Sequence, residues 1–226
     1  MAPTQLVMVH VTLPSTQRNN NPNPTTLDDD IATIRTALLA ALNDGDVALL
    51  AHSFGGMSSM SSLQDLTPAS RKAAGHTTAV RHAILIASFF APVGGMAPEV
   101  LGDRAPPIGV PVGPFNHVGP GKAEDYFYAD LTAAEAQKWT NLLKPISATA
   151  FLGKTTSEAW TELPISYLVC LRDQALLPLA QRWIIDMARD KGAKVRVEEF
   201  DSSHSPFLSM PERTGEFVRR SVGESI

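Results

Sequence analysis

The chain has 226 residues, 44% of them hydrophobic and 19% charged, with a formal net charge of -4; this is ordinary globular composition with apolar material for one sizeable core, so a single domain over 1–226 is expected. No basic stripe is available to neutralise phosphates, which argues against nucleic acid as a partner, and no apolar run approaches the roughly 20 residues of a bilayer-spanning helix, which argues against a membrane. The lone Cys170 cannot form an internal disulfide and the N-terminus lacks the charged start and long apolar run of a secretory signal, so a reducing, cytoplasmic setting is expected.

Along the chain, short β-rich apolar runs alternate with segments of helical period, the pattern of a mainly parallel sheet covered by helices on both faces. Leu6 to Val11 reads as a buried strand stopped at Leu13-Pro14-Ser15, and a polar, Asn- and Pro-rich loop, Gln17 to Pro24, follows. Thr26 with Asp29 forms a capping box, and Ile31, Ile34, Leu38 and Leu42 share one face of the helix after it, which closes at Asn43-Asp44-Gly45. Val47 to Ala51 is the next strand, Ser53 to Gly56 a sharp turn and Met57 to Leu66 a helix; Ala83 to Ala87 is a third buried strand.

The chain then changes character, with seven of its 17 prolines and seven of its 15 glycines lying between Pro92 and Gly121. Such a segment is unsuited to helix or sheet interior, and a loop this long inside a compact domain points to a lid or binding loop, so a lid over about 92–163 is expected. Thr132 with Glu135 caps a helix carrying Trp139, Leu142 and Leu143, which Pro145 stops. Ile165 to Leu171 and Val195 to Phe200 are the remaining strands, Leu179 to Arg189 is an amphipathic helix between them, and Ser209 with Glu212 caps a final helix.

Three residues at strand ends carry the candidate chemistry. Ala51-His52-Ser53-Phe54-Gly55 sits between a strand and a helix, where a nucleophile elbow holds a strained serine; small residues are needed two before and two after it, met here by Ala51 and Gly55. Asp173 follows the strand ending at Leu171, and His204 lies in the loop after the last strand. Each has a bland reading as a turn serine, a loop carboxylate or a surface histidine, yet the order Ser, Asp, His is the one a nucleophile elbow on a parallel sheet requires. In that arrangement Ser53 is the nucleophile, His204 the base, Asp173 the group that orients the base, and the Phe54 backbone N–H an oxyanion donor. His52, beside the nucleophile, is a candidate substrate contact, whereas His76, His82 and His117 have no partners at ligand spacing, so neither a metal nor a cofactor is expected.

These stretches resemble the α/β-hydrolase family that groups small esterases with plant methyl esterases and hydroxynitrile lyases. The likeness is carried by Val11 to Ser15, Thr25 to Asp30, Ala51 to Gly56, Tyr167 to Ala175 and His204 to Glu212, and it implies the same nucleophile, acid and base. Family members carry a His-Gly oxyanion loop and a helix ahead of the strand leading to the Leu-Pro-Ser turn. Here one strand precedes that turn: either Leu6 to Val11 is the later strand and the oxyanion strand is absent, the reading that the match at Val11 to Asp30 favours, or Met8-Val9-His10 is a remnant of the oxyanion strand joined directly to the later loop. The resemblance thus implies an N-terminally shortened fold, and with His10 followed by Val11 the second oxyanion donor is unassigned.

The expected activity is hydrolysis of a small, fairly apolar carboxylic ester or lactone, with Tyr126, Phe127, Tyr128, Trp139 and Trp160 as the aromatic residues available either to line the pocket or to pack the lid's own core. One alternative is a lyase or isomerase on the same fold; the resemblance argues against cyanohydrin chemistry, because hydroxynitrile lyases follow the catalytic histidine with lysine and Ser205 stands here. Another is a weakly active or inactive binding protein, its sheet completed across an open edge by a second chain; a homodimer is one such arrangement.

Overall fold

The computed structural model of the protein describes residues 8–16, 24–104, 106, 108–119 and 121–225. In chain order the elements are α1 (Leu27–Ala41), β1 (Val47–His52), α2 (Gly55–Ser61), α3 (Pro68–Ala73), β2 (Val80–Ile86), α4 (Ala97–Leu101), β3 (Gly109–Val112), β4 (Phe115–Val118), α5 (Ala123–Phe127), α6 (Ala133–Thr140), β5 (Ile146–Ser147), α7 (Ala148–Phe151), β6 (Pro164–Cys170), α8 (Pro178–Asp190), β7 (Lys194–Phe200), α9 (Pro206–Ser209) and α10 (Pro211–Ser221).

Four of the strands form one sheet in the order β1-β2-β6-β7, every neighbouring pair parallel. The two central strands are buried on both faces over Ala83 to Ile86 and Ile165 to Cys170, which is why these stretches read as near-continuous apolar runs instead of alternating ones. On one face Leu85, Tyr167 and Val169 join Ile31, Ile34 and Leu38 of α1, Met57 and Met60 of α2 and Ile184 and Ile185 of α8 in the main core. On the other, Ile84, Ile86, Leu168 and Phe200 pack under Phe217 of α10. At about 1.5–3 kcal/mol for each large apolar side chain removed from water, these two layers supply the main drive for closing the sheet.

Local chemistry sets the helix ends. Thr26 accepts from the backbone N–H of Asp29 and the Asp29 carboxylate accepts from Thr26 N–H, so the capping box at the start of α1 forms as the sequence predicts. Thr132 and Glu135 do the same for α6. Ser209 does not cap the last helix: α10 starts at Pro211 after Met210, and the Ser209 hydroxyl donates elsewhere.

Two further expectations are corrected. Of the strand expected at Leu6 to Val11, residues 6 and 7 lie outside the described part, as do 17–23 of the polar loop; Met8 to Val11 form no strand, with Met8 and Val9 exposed to solvent. Among the described residues β1 is therefore an edge of the sheet, and its Leu50 is 42% exposed. The Pro- and Gly-rich segment also contains more order than its composition suggests, since β3, β4 and β5 build a three-stranded antiparallel sheet. Pro111 fits because β3 is the edge of that sheet, where a missing N–H leaves no central ladder bond unmade.

Candidate active site

Because the four strands run parallel, their C-terminal ends share one rim, and all three sequence-predicted residues stand on it. Ser53 follows β1, Asp173 lies three residues beyond β6, and His204 four beyond β7.

Ser53 has φ 52, a left-handed conformation that a residue with a side chain adopts at a cost of about 1–3 kcal/mol. Neighbouring bonds impose it. Its N–H donates to Ile86 O at 3.3 Å, while its carbonyl accepts from Ser88 Oγ at 2.7 Å, Phe89 N at 3.3 Å and Gly56 N at 3.2 Å. Tyr167 braces this arrangement from β6 by donating its hydroxyl to Ser88 O. The crowding expected at Gly55 falls instead on Gly56, where a Cβ would meet Phe89 O and Ser88 Oγ at 2.4 Å; at Gly55 there is nothing within 4 Å. The first turn of α2 rotates Gly55 away from β2 and aims Gly56 at it.

Asp173 is fully buried, and its carboxylate is saturated with donors. Oδ1 accepts from the backbone N–H groups of Ala175 and Leu176, each at 2.8 Å, and Oδ2 accepts from Gln181 Nε2 at 3.2 Å and stands 2.7 Å from His204 Nδ1. Gln181, on α8, also exchanges bonds with the backbone of Cys170 and donates to Leu176 O, so it fixes the strand end as well as the acid. Sequence reading passed over it. The available signal was a glutamine in helical register with Ile184, Ile185 and Ala188, on the face of α8 that is buried.

His204 is buried, and its surroundings hold it on several sides. His52 Nε2 lies 2.9 Å from His204 O, so this nitrogen carries the proton, and the two rings are 4.5 Å apart. Burial and the facing His204 pull the His52 pKa down to about 3. The candidate substrate contact thus spends its donor on the backbone of the neighbouring histidine. Phe127 also packs against the His204 ring, at 5.4 Å between centroids. Among the described residues no hydrogen bond joins Ser53 Oγ to His204; the serine stands half-exposed at the rim beside His52.

Phe54 precedes the first residue of α2, so its N–H heads that helix, and its ring stacks on Phe151 at 5.6 Å and meets Phe89 at 6.1 Å. Of the other aromatic residues in 92–163, Phe127 alone is in ring contact with His204. Trp160 is fully buried against Phe90 and Tyr128 is buried beside Phe127, so for these two packing is the better description, whereas Trp139 is half-exposed with the Lys138 ammonium over its ring.

His10 is exposed and lies on no strand. Cys170 is buried and its thiol pKa is pushed up to about 12, chiefly by desolvation, which leaves it inert as a nucleophile. Among the described residues no group of three or more His, Cys, Asp or Glu side chains is placed to hold a metal, and no helix is long and apolar enough to cross a membrane.

Comparison with known proteins adds the family. A sequence model described as the alpha/beta hydrolase family matches residues 4–217. The chain is 25% identical over 218 residues to the probable hydrolase R7 of Phoma sp., covering 95% of this chain and 86% of that protein. It is 28% identical over 230 residues to the alpha/beta hydrolase nvfD of Aspergillus novofumigatus, covering 98% and 88% respectively. Polyneuridine aldehyde esterase has a similar fold, with a TM-score of 0.67, 18% identity and coverage of 91% of this chain and 85% of that one.

Proposed function

The chain belongs to the alpha/beta hydrolase family, and we propose that it is a serine hydrolase cleaving a small, fairly apolar carboxylic ester or lactone through an acyl-enzyme. The observation that carries this reading is the buried 2.7 Å contact between Asp173 Oδ2 and His204 Nδ1, formed on the same sheet rim as a serine in left-handed backbone. A carboxylate accepting from Nδ1–H leaves Nε2 with its lone pair, the tautomer a general base needs.

The chemistry follows in order. His204 Nε2 takes the Ser53 hydroxyl proton as Oγ bonds to the carbonyl carbon, and the negative charge moves to the carbonyl oxygen, where the Phe54 N–H donates to it. The imidazolium, stabilised by Asp173, returns that proton to the departing alkoxide as the C–O bond breaks. Water, deprotonated by the same nitrogen, then attacks the acyl carbon, and as the C–Oγ bond breaks the imidazolium returns the proton to Ser53 Oγ, releasing the acid and restoring the hydroxyl. Ser53 and His204 have to close up on substrate for the first transfer; catalytic hydrogen bonds are commonly long in free enzymes and tighten in the complex.

The segment between β2 and β6 acts as a lid, and Phe54, Phe127 and Phe151 supply an apolar lining for the acyl group. Esterase activity in a structural neighbour of the same fold supports this substrate class.

A fluorophosphonate probe tests the proposal. Covalent labelling at Ser53, abolished in Ser53→Ala and slowed in His204→Ala, together with turnover of short-chain p-nitrophenyl esters, is the expected result. Labelling without ester turnover would point to non-hydrolytic chemistry at the same triad, and no labelling would leave a binding protein.

A further inference from the structure

The loop that carries His204 is held by a carboxylate from a different part of the molecule. Asp130, in the turn between α5 and α6, accepts through Oδ2 from the backbone N–H of Ser203 at 2.8 Å and from the hydroxyl of Ser209 at 2.8 Å. One of these donors immediately precedes the histidine and the other lies five residues beyond it. Ser203 returns a bond, its hydroxyl donating to Phe127 O at 3.0 Å, and the Phe127 ring covers the imidazole. Asp130 Oδ1 is buried without a partner among the described residues. Asp130 is partly exposed, and its Oδ2 is taken up by the two ends of the loop that carries His204.

Asp173 restrains the imidazole at one nitrogen only, so the direction of Nε2 also depends on where the backbone of residues 203–205 lies. Besides the turn bond from Leu208 N–H to Ser205 O, two contacts from distant segments hold that backbone: His52 on the carbonyl of His204, from the sheet, and Asp130 on the N–H of Ser203, from the segment between β2 and β6. The second is a charge-assisted bond of good length. We propose that Asp130 is a positioning residue for the base, a latch by which the segment over the sheet sets the orientation of His204 towards Ser53. This rests on the hydrolase reading given above. It also makes alignment of the base depend on how that segment is seated, so seating around a bound substrate is transmitted to Nε2.

The experiment compares Asp130→Ala, Asp130→Asn and Ser209→Ala with the unaltered chain in kcat and KM for a p-nitrophenyl ester, in the pH profile of kcat/KM, and in the downfield proton resonance of His204 Nδ1–H, assigned by its loss in His204→Ala. Misplacement of a catalytic group by about 1 Å is enough to lose roughly 100-fold in rate. Asp130→Ala is expected to lower kcat by about 10- to 100-fold with KM within threefold, to shift the acidic limb of the pH profile, where the base must lose its proton, and to move or broaden the Nδ1–H signal. Asp130→Asn, which keeps a neutral acceptor for Ser203 N–H, restores most of the rate, and Ser209→Ala loses a smaller part.

An unchanged Nδ1–H signal and pH profile in Asp130→Ala would overturn the proposal; should that variant fail to fold, unchanged kcat, Nδ1–H signal and pH profile in Ser209→Ala would overturn it. If the unaltered chain is not labelled by a fluorophosphonate, the hydrolase reading fails separately, and the Nδ1–H signal alone then decides whether Asp130 orients the imidazole.

Discussion

Asp173 Oδ2 and His204 Nδ1 stand 2.7 Å apart with both side chains buried, and Asp173 has its other oxygen occupied by two backbone N–H groups. Replacing Asp173 with Asn keeps an oxygen for Ala175 and Leu176 and turns an NH2 group towards His204, forcing the proton from Nδ1 to Nε2. Asp173→Asn is therefore expected to fold and to lose about 10⁴-fold in kcat, the scale seen when a triad histidine is held in the wrong tautomer. Circular dichroism and ester turnover measured on the same preparation check this, and a loss under tenfold would contradict the role given to Asp173.

The two adjacent glycines of the elbow should differ sharply. A methyl group at Gly56 meets backbone oxygen and a serine hydroxyl at 2.4 Å, whereas at Gly55 it meets nothing within 4 Å. Gly56→Ala is expected to destabilise by about 1–3 kcal/mol through overpacking and to reduce fluorophosphonate labelling, while Gly55→Ala stays within about 0.5 kcal/mol. Urea denaturation of the pair decides it; equal costs at the two positions would contradict the packing described here.

His52 makes the fold sensitive to acid. Its pKa falls from 6.5 in the unfolded chain to about 3 in the folded one, so between these values the unfolded state holds a proton that the native state refuses. Stability from this group is fully present above about pH 6.5 and declines as pH falls towards 3, at up to roughly 1.4 kcal/mol per pH unit. His52→Gln keeps a donor for His204 O and removes the titration, so its melting temperature should fall less steeply than that of the unaltered chain between pH 6.5 and 4. Parallel curves would show that His52 is not the group responsible.

The main sheet and the positions of Ser53, Asp173 and His204 were legible because each depends on local signals. Buried parallel strands announce themselves as apolar runs, and the three candidate residues follow their C-terminal ends. What escaped depends on how separate elements come together. Gln181 looks like one polar residue on a helix until the end of β6 is brought beside it. Ser209 looks like a helix cap because Glu212 stands three residues on, and only the arrival of Asp130 from 79 residues away redirects its hydroxyl. The crowded glycine was misplaced by one because spacing along the chain does not say which way the first helical turn faces. The hairpin at Gly109–Val118 was hidden by a proline that an edge strand tolerates.

The partners that hold His204 and its flanking residue lie 31, 73 and 152 residues away along the chain. Closing loops of that length is slow, since the entropy of each must be lost before its bond is made. During refolding from denaturant, helical circular dichroism should therefore return well before the ability to react with an electrophile, and for that interval the population would be compact yet chemically silent.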